Sequence, residues 1–366
     1  MNLINIHDES FIIRTWQEIA ENALHARASD IHIEARPLSS LVRIRVDGLL
    51  QTQFEYPIEF HERLITRIKI LARLDIAEKR IPQDGRLCIG LDFSNPEIDC
   101  RVSLLPTLYG EKAVIRILQS QIEKLDLKKV GLLPEQLDLM QNAITQPNGL
   151  ILVTGPTGSG KTRTLYSCLN RLNQTHRNLC SIEDPIEICL PGVNQVAYHP
   201  RAGLEFSTII KALLRQDPDV IMIGEIRDGA TANLAIQAAQ TGHLVLSTLH
   251  TRDARSALPR LQSLGVDREL LESCLLCVSS QRLVRTCCAH CRKPKVHKGS
   301  NPLIEVCSAC NGAGYLGRIG VHEVLSVKQV LNPTLAYIGM SEAGARHINA
   351  GLIDQASLSS EVCSWH

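Results

Sequence analysis

A glycine-rich loop that ends in lysine and threonine is the first feature of this sequence that could do chemistry. It follows an apolar run at 150–153 and has the pattern G-x-x-x-x-G-K-T, formed by Gly155, Pro156, Thr157, Gly158, Ser159, Gly160, Lys161 and Thr162. Glycines let the backbone curve so that its N–H groups point at phosphate oxygens, lysine reaches the β- and γ-phosphates, and the threonine hydroxyl can bind Mg²⁺. The helix expected after the loop adds its positive N-terminal dipole. The spacing therefore predicts a nucleotide site with Mg²⁺, and a glycine-rich surface loop is the alternative.

Acidic residues at the ends of two other short segments could act on the same nucleotide. Glu225 follows the apolar run at 220–223, and the carboxyl ends of strands in a nucleotide-binding sheet face the ligand. We therefore expect Glu225 to orient or deprotonate the attacking water. The aspartate that usually helps to hold Mg²⁺ is missing, so another acid must complete the metal shell. Glu183 and Asp184 are the best candidates, and a strand end followed by a turn is the alternative for them.

Two histidines lie in the run at 241–250, which is predicted to be a buried strand. His250, at its carboxyl end, could donate a hydrogen bond to a γ-phosphate and respond to its loss. His243 lies at the opposite end of the same run, where a structural histidine with satisfied hydrogen bonds is the more common case. We therefore expect His250 alone to take part in the site.

Two C-x-x-C pairs have the spacing of a zinc ribbon. They are Cys288 with Cys291 and, after 15 intervening residues, Cys307 with Cys310. Each pair places two thiolates on one knuckle, and two knuckles complete a closed tetrahedral structural site. Cys287 and His290 lie in the first knuckle and could substitute as ligands. The alternatives are reduced cysteines or a ribbon that holds its shape without metal.

The other cysteines are interpreted as packing residues. Cys274 and Cys277 also form C-x-x-C, but they lie in an apolar stretch at 270–284 that resembles a helix. We therefore expect core packing there rather than redox chemistry. Small buried side chains are expected for the remaining cysteines, which are Cys88, Cys100, Cys168, Cys180, Cys189 and Cys363.

Basic residues concentrate around the zinc knuckles. They are Arg282, Arg285, Arg292, Lys293, Lys295 and Lys298. Aromatic residues do not alternate with them, which disfavours a surface for single-stranded nucleic acid. A solvated face is the first interpretation, and a docking surface is the alternative.

Composition limits the class of protein. The chain has 366 residues, of which 44% are hydrophobic and 21% charged, with a net charge of +1. These values exclude a mostly disordered chain and a global attraction to nucleic acid or anionic lipid. The sequence has neither a secretory signal nor an apolar run of the roughly 18 residues that a membrane span needs. We therefore expect a cytoplasmic protein whose 13 cysteines do not form a disulfide framework.

Patterns of apolar residues indicate which elements position these groups. A helix is predicted at 9–28, strands at 31–35 and 41–46, a helix at 61–74, a turn at 82–85, and strands at 98–104 and 113–118. This order indicates a small α+β domain. From residue 150 the apolar runs become short and continuous and alternate with helix-length segments, which is typical of a parallel sheet buried on both faces.

Together these motifs resemble the assembly ATPases of type II secretion and type IV pilus systems, of the GspE/PilB kind. The resemblance runs from about Ser29 to Arg318. The motifs that carry it are SDIHIE at 29–34, IPQDGR at 81–86, the loop at 155–162, EDP at 183–185, LRQDPD at 214–219, Glu225, TGHLVLSTLH at 241–250 and the two cysteine pairs.

The resemblance implies an α/β fold with three parts. These are an N-terminal α+β (PAS-like) domain at 1–120, a RecA-like P-loop ATPase domain at 121–366, and a small tetracysteine zinc subdomain at 283–320 within it. It also implies that Arg101 and Arg116 reach the nucleotide phosphates from the N-terminal domain, where they would act as arginine fingers.

The implied cofactors are ATP, Mg²⁺ and Zn²⁺. The implied assembly is a homohexamer, peripheral at the inner membrane, that drives a platform protein of a pilus, secretion or DNA-uptake machine. Direct contact with nucleic acid is not expected. The sequence departs from the family pattern in lacking an extra N-terminal domain, in placing Arg163 where a threonine is usual, and in its short C-terminal end. A zinc-ribbon NTPase that remodels nucleic acid and a degenerate subunit without hydrolysis remain alternatives.

Overall fold

The computed structural model describes residues 9–89, 98–117, 125–291, 307–310 and 312–362. The chain forms two compact units, residues 1–120 and 121–366. Within the described residues, every helix is too short or too polar to cross a bilayer.

The first unit is a six-stranded antiparallel sheet in the order β3-β2-β1-β6-β5-β4. Its elements are α1 (Glu9–His25), β1 (Asp30–Ala35), β2 (Ser39–Val46), β3 (Leu49–Pro57), α2 (Ile58–Leu71), β4 (Gln83–Ile89), β5 (Ile98–Thr107) and β6 (Gly110–Ile117). Trp16 of α1 and Leu64 of α2 pack with Ile31 and Ile115 of the sheet in one core. Alternate strand residues therefore face this core, and the residues between them face the other side of the sheet.

One expectation for this unit was wrong, and one strand was missed. The turn predicted at 82–85 is instead the start of β4, where Gln83 pairs with Leu104 and Arg86 with Arg101. Strand β3 was not predicted, because it is an edge strand whose residues are mostly exposed or half-buried. An edge strand of this kind lacks the apolar alternation by which strands are recognised.

The second unit is a seven-stranded sheet in the order β13-β12-β7-β11-β10-β8-β9. Its strands are β7 (Gly149–Thr154), β8 (Leu179–Glu183), β9 (Val193–Ala197), β10 (Val220–Ile223), β11 (Leu244–Leu249), β12 (Leu275–Cys287) and β13 (Tyr315–Ser326). All neighbours are parallel except the hairpin of β12 and β13. Its helices are α3 (Pro134–Ile144), α4 (Lys161–Leu172), α5 (Phe206–Leu213), α6 (Gly229–Gln240), α7 (Ala257–Ser263), α8 (Arg268–Cys274), α9 (Val327–Leu331), α10 (Met340–Asn349) and α11 (Gln355–Val362).

Helices cover both faces of this second sheet. Leu150 and Leu152 of β7 pack in one core with α5, α6 and α7, whereas Ile151 and Val153 pack in another with α3 and α4. Because both faces are buried, the central strands are continuous apolar runs. Polar groups that act on a ligand must therefore lie at the strand ends.

The helix predicted across 270–284 was wrong beyond Cys274. Helix α8 ends there, and β12 begins at Leu275 and lies between β7 and β13. A strand that is buried on both faces has a continuous apolar run, which periodicity alone does not distinguish from a buried helix. Cys274 and Cys277 are nevertheless buried, as expected.

The outcome for the other cysteines is mixed. Cys100, Cys168 and Cys180 are buried, but Cys88 and Cys189 are exposed, contrary to expectation. Cys88 lies on edge strand β4, where alternate residues face solvent. Cys363 lies outside the described residues.

Candidate nucleotide site and tetracysteine cluster

The glycine-rich loop connects β7 to α4. Gly158 and Gly160 have φ values of +80° and +86°, in the left-handed region that glycine adopts without strain. At Gly155 a Cβ atom would lie 2.6 Å from the carbonyl oxygen of Gln281 and 2.7 Å from Ser159 Oγ. The loop therefore needs glycine both for its curvature and for its close packing.

Lys161 and Ser159 are the polar side chains of this loop that an anion could bind. Lys161 Nζ turns back to donate to the carbonyl oxygens of Gly155 (2.8 Å) and Pro156 (3.0 Å). Burial lowers the pKa of Lys161. Ser159 Oγ is buried and has no hydrogen-bond partner among the described residues. A phosphate oxygen would satisfy both groups, so the loop fits the ligand that its sequence predicts.

Functional side chains meet at the carboxyl ends of neighbouring strands. The loop follows β7, while Glu183 ends β8, Glu225 lies just after β10 and His250 just after β11. All of them line one cavity of about 550 Å³, together with Asp184 and Thr162. The structure thus brings the predicted acids and His250 together with Lys161 and Thr162 of the loop.

An arginine that was not singled out from the sequence lies among these acids. Arg227 forms ion pairs with Glu225 and, at 3.3 Å, with Asp184. Its position two residues after Glu225, in the same strand-end loop, is the signal that could have identified it. The ion pair with Arg227 holds the Glu225 carboxylate at the cavity, and the Glu225 side chain is 21% exposed.

His250 faces the same carboxylate. Its Nε2 atom lies 3.8 Å from Glu225 Oε2. Burial and the charge of Lys161 lower the pKa of His250, so the imidazole is neutral near pH 7. His243 lies at the opposite end of β11, where its Nδ1 atom is 3.0 Å from the carbonyl oxygen of Ala238.

Glu183 is held differently from the other acids. Its Oε1 atom accepts hydrogen bonds from Ser181 Oγ (2.6 Å) and Gln195 Nε2 (2.9 Å). Its Oε2 atom accepts one from the Tyr166 hydroxyl of α4. Both carboxylate oxygens are therefore engaged by the protein, whereas Asp184 is open to the cavity.

The four predicted cysteines form a cluster at the end of the β12–β13 hairpin. The Sγ atoms of Cys288, Cys291, Cys307 and Cys310 all lie within 4.8 Å of one another. Cys288 and Cys307 are 4.0 Å apart, and Cys291 and Cys310 are 3.6 Å apart. Four thiolates around zinc at about 2.3 Å would be about 3.8 Å apart. The cluster therefore fits a tetrahedral metal without Cys287 or His290.

The basic residues around the cluster do not form one solvated face. Arg282 is buried, and its Nη atoms donate to the carbonyl oxygens of Gln281 (3.0 Å) and Arg252 (2.8 Å). Its inclusion in a surface patch was therefore wrong, because the guanidinium supports the backbone. Arg285 stacks on the ring of Tyr315 at 4.3 Å. The other four members, Arg292, Lys293, Lys295 and Lys298, lie outside the described residues.

The predicted arginines of the first unit lie side by side. Arg101 on β5 is opposite Arg116 on β6 and opposite Arg86 on β4. Arg116, which is 65% exposed, donates to Asp30 Oδ1 at 3.0 Å. This arginine row (Arg86, Arg101 and Arg116) is on the face opposite the core. Like charges directly across a sheet repel, and Asp30 beside Arg116 and Asp99 beside Arg86 (3.9 Å) offset part of this repulsion.

The comparisons with known proteins agree with this geometry. The family model described as "Type II/IV secretion system protein" matches residues 5–352. Type II secretion system protein HxcR of Pseudomonas aeruginosa is 46% identical over 345 residues, which are 94% of this chain and 72% of that protein. Type II secretion system ATPase E of Vibrio cholerae is 42% identical over 363 residues, 95% of this chain and 72% of that protein.

Solved structures support the same fold. The ATPase DotB of Legionella pneumophila, 20% identical, superposes with a TM-score of 0.72 and covers 95% of each chain. The pilus retraction motor PilT with bound ADP is 25% identical with a TM-score of 0.64, over 94% of this chain and 96% of that one. The resemblance inferred from the motifs is confirmed. The chain belongs to the type II/IV secretion system protein family and is a RecA-like secretion ATPase.

Proposed function

We propose that this chain hydrolyses ATP in the cavity at the ends of β7, β10 and β11, and that hydrolysis powers assembly of a type IV pilus, a type II secretion pseudopilus or a DNA-uptake machine. One observation carries the proposal. The phosphate loop, Glu225 and His250 follow three adjacent parallel strands and line the same cavity. This is the place where open α/β sheets bind nucleotides.

The loop binds the phosphates. Its backbone N–H groups and Ser159 Oγ donate to phosphate oxygens, and Lys161 exchanges the carbonyl oxygens of Gly155 and Pro156 for the β- and γ-phosphates. The Thr162 hydroxyl and the Asp184 carboxylate would hold Mg²⁺, which would supply positive charge against the phosphate oxygens. Glu183 orients this acidic segment through its hydrogen bonds to Ser181, Gln195 and Tyr166.

Glu225 positions the attacking water and accepts its proton. The Arg227 ion pair holds the carboxylate at the cavity. His250 is neutral because burial lowers its pKa, so one ring nitrogen donates and the other accepts. The donor nitrogen is suited to a γ-phosphate oxygen.

Arg101 and Arg116 are proposed to add positive charge to the nucleotide phosphates in the transition state, as the family resemblance implies. In this proposal residues 1–120 act as the N-terminal domain and residues 121–366 as the ATPase domain. The zinc subdomain, at 283–320, binds one Zn²⁺ through its four cysteines.

The family is associated with oligomers and membrane partners. We extend this to a homohexamer in the cytoplasm that works peripherally at the inner membrane on a platform protein. The net charge of +1 supports a motor that acts on protein rather than on nucleic acid.

Substitution of Glu225 by Gln tests the hydrolytic role. Phosphate release should fall about 100-fold or more because the general base is lost, while affinity for a fluorescent ATP analogue is kept. Glu205→Gln, at the start of α5 and away from the cavity, is the matched control and should hydrolyse ATP like wild type.

Two outcomes would contradict the proposal. Wild-type protein that hydrolyses ATP no faster than Glu225→Gln would indicate a degenerate subunit. Turnover that depends on nucleic acid and falls steeply with salt would indicate a nucleic-acid-remodelling NTPase.

A further inference from the structure

A buried glutamine from outside the nucleotide motif contacts the phosphate loop. Gln281 of β12 is 1% exposed. Its Nε2 atom donates to the carbonyl oxygen of Ser159 (2.6 Å), and its Oε1 atom accepts from Thr164 Oγ1 (2.8 Å). Ser159 precedes Lys161 and Thr164 follows it, so a single amide bridges both sides of the lysine.

Gln281 also packs against both ends of the phosphate loop. A Cβ atom at Gly155 would lie 2.6 Å from the backbone oxygen of Gln281, and one at Gly160 would lie 3.1 Å from its Nε2 atom. This backbone oxygen also accepts a hydrogen bond from Arg282 Nη1 (3.0 Å). Strand β12 pairs in parallel with β7 up to Thr154, the residue that precedes the loop. The loop is therefore packed against a fixed strand rather than free in solvent.

We infer that Gln281 is a positioning residue that holds the phosphate loop in its anion-binding shape. The C=O of a peptide and the N–H of the next residue point in opposite directions. Anchoring the Ser159 carbonyl on Gln281 therefore turns the Gly160 N–H away from β12. Donors that are already oriented bind an anion more tightly, because less ordering is needed on binding.

The next residue of β12 supports the other side of the cavity. Arg282 Nη2 donates to the carbonyl oxygen of Arg252 (2.8 Å), which lies in the segment just after His250. Consecutive residues of one strand thus hold the phosphate loop and the segment that carries His250. This inference rests on the nucleotide site of the proposed function.

Gln281→Met tests the inference against a matched control. Methionine has a similar length but makes neither hydrogen bond. Gln136→Met is the control, because Gln136 is also buried (2% exposed) and also makes two hydrogen bonds, with the Leu133 N–H and the His322 carbonyl, away from the cavity. Both variants should lose a similar amount of thermal stability. Only Gln281→Met should weaken binding of a fluorescent ADP analogue, by roughly tenfold, and raise KM for ATP more than it lowers kcat.

Thr164→Val and Thr164→Ser form a second pair, for use if Gln281→Met does not fold. Valine removes the hydroxyl that Gln281 accepts from and should weaken nucleotide binding, whereas serine keeps the hydroxyl and should restore it. Equal binding by Gln281→Met and wild type, or an equal loss in both glutamine variants, would overturn the inference. Wild-type protein that binds no nucleotide would instead overturn the proposed function.

Discussion

The two sheets of this protein carry their candidate functional residues in different places. In the first unit the arginine row crosses β4, β5 and β6 on the face opposite the core, from the centre of β4 to the next-to-last residue of β6. In the second unit the groups of the nucleotide cavity lie at strand ends. The difference follows from burial, because helices cover one face of the antiparallel sheet but both faces of the parallel sheet.

The two sheets also differ in how their positively charged side chains are stabilised. Lys161 is buried and is satisfied by the carbonyl oxygens of its own loop. Arg116 and Arg86 are largely exposed, with Asp30 at 3.0 Å and Asp99 at 3.9 Å respectively. Water screens the charges of the exposed row, so placing these arginines on the sheet costs little stability. A buried lysine instead needs specific hydrogen-bond acceptors around its ammonium group. We therefore expect substitutions at the strand ends to affect binding most, and substitutions in the row to affect turnover.

Lys161→Ala should have the largest effect. Loss of the ammonium leaves the phosphates without their main buried cation, and affinity for a fluorescent ATP analogue should fall by more than about 100-fold. Lys128→Ala, at an exposed position of the same unit, should bind like wild type. Unchanged binding by Lys161→Ala would refute the phosphate-loop assignment.

Arg116→Ala should lower kcat by about 100-fold with little change in nucleotide affinity, as expected for a cation that acts in the transition state. Steady-state ATP hydrolysis and equilibrium binding, measured together, check this. Lys112→Ala is the matched control, since Lys112 lies on the same strand and face as Arg116 and pairs with Glu34. An equal loss of activity in both variants would show that Arg116 has no specific role in turnover. It would contradict the difference proposed between the two sheets.

Metal removal should affect the second unit through its hairpin. One zinc per chain should co-purify, and a chelator should lower the melting temperature by roughly 10 °C, because a four-thiolate site contributes directly to folding. Cys288→Ser should lose the metal, whereas Cys189→Ser, at an exposed cysteine outside the cluster, should keep it. A chelated protein that is equally stable would remove the structural role of the metal.

Acidification should destabilise the second unit. Burial lowers the pKa of His322 to about 4, below its usual value near 6.5. The unfolded chain then binds a proton between these values and the native protein does not, so stability is complete above pH 6.5 and falls as the pH drops towards 4. The full loss is about 3 kcal/mol. Melting curves of wild type and His322→Gln from pH 7 to pH 4.5 check this, and an equal slope in both would exclude His322 as the cause.

Sequence patterns located most elements but not all their types. The apolar runs at 150–153, 220–223 and 244–246 lie in strands β7, β10 and β11, because burial on both faces leaves a continuous apolar sequence. The same signature in β12 was taken for a helix, since a buried strand and a buried helix are equally apolar. Strand β3 was missed, because an edge strand with exposed residues shows little pattern.

Local motifs also identified most of the candidate site. The loop at 155–162 and the cysteine pairs are short-range features, and their geometry depends on neighbours in the chain. Arg282 was misplaced because its type suggested a surface, whereas its side chain is buried and its guanidinium donates to two backbone carbonyl groups. Charge alone does not show whether an arginine meets water or the protein interior.

The sequence by itself determined the family, the phosphate loop and the four cysteines of the cluster, since each depends on residue types at close spacing. Only the tertiary structure decided that Arg227 lies between Glu225 and Asp184, that Arg86 extends the row of Arg101 and Arg116, and that Gln281 holds the phosphate loop. Apart from the local Arg227–Glu225 ion pair, these contacts join segments that are not neighbours in the chain. They follow from strand order and register. A one-residue shift in the register of a strand would turn its side chains to the other face and abolish these contacts.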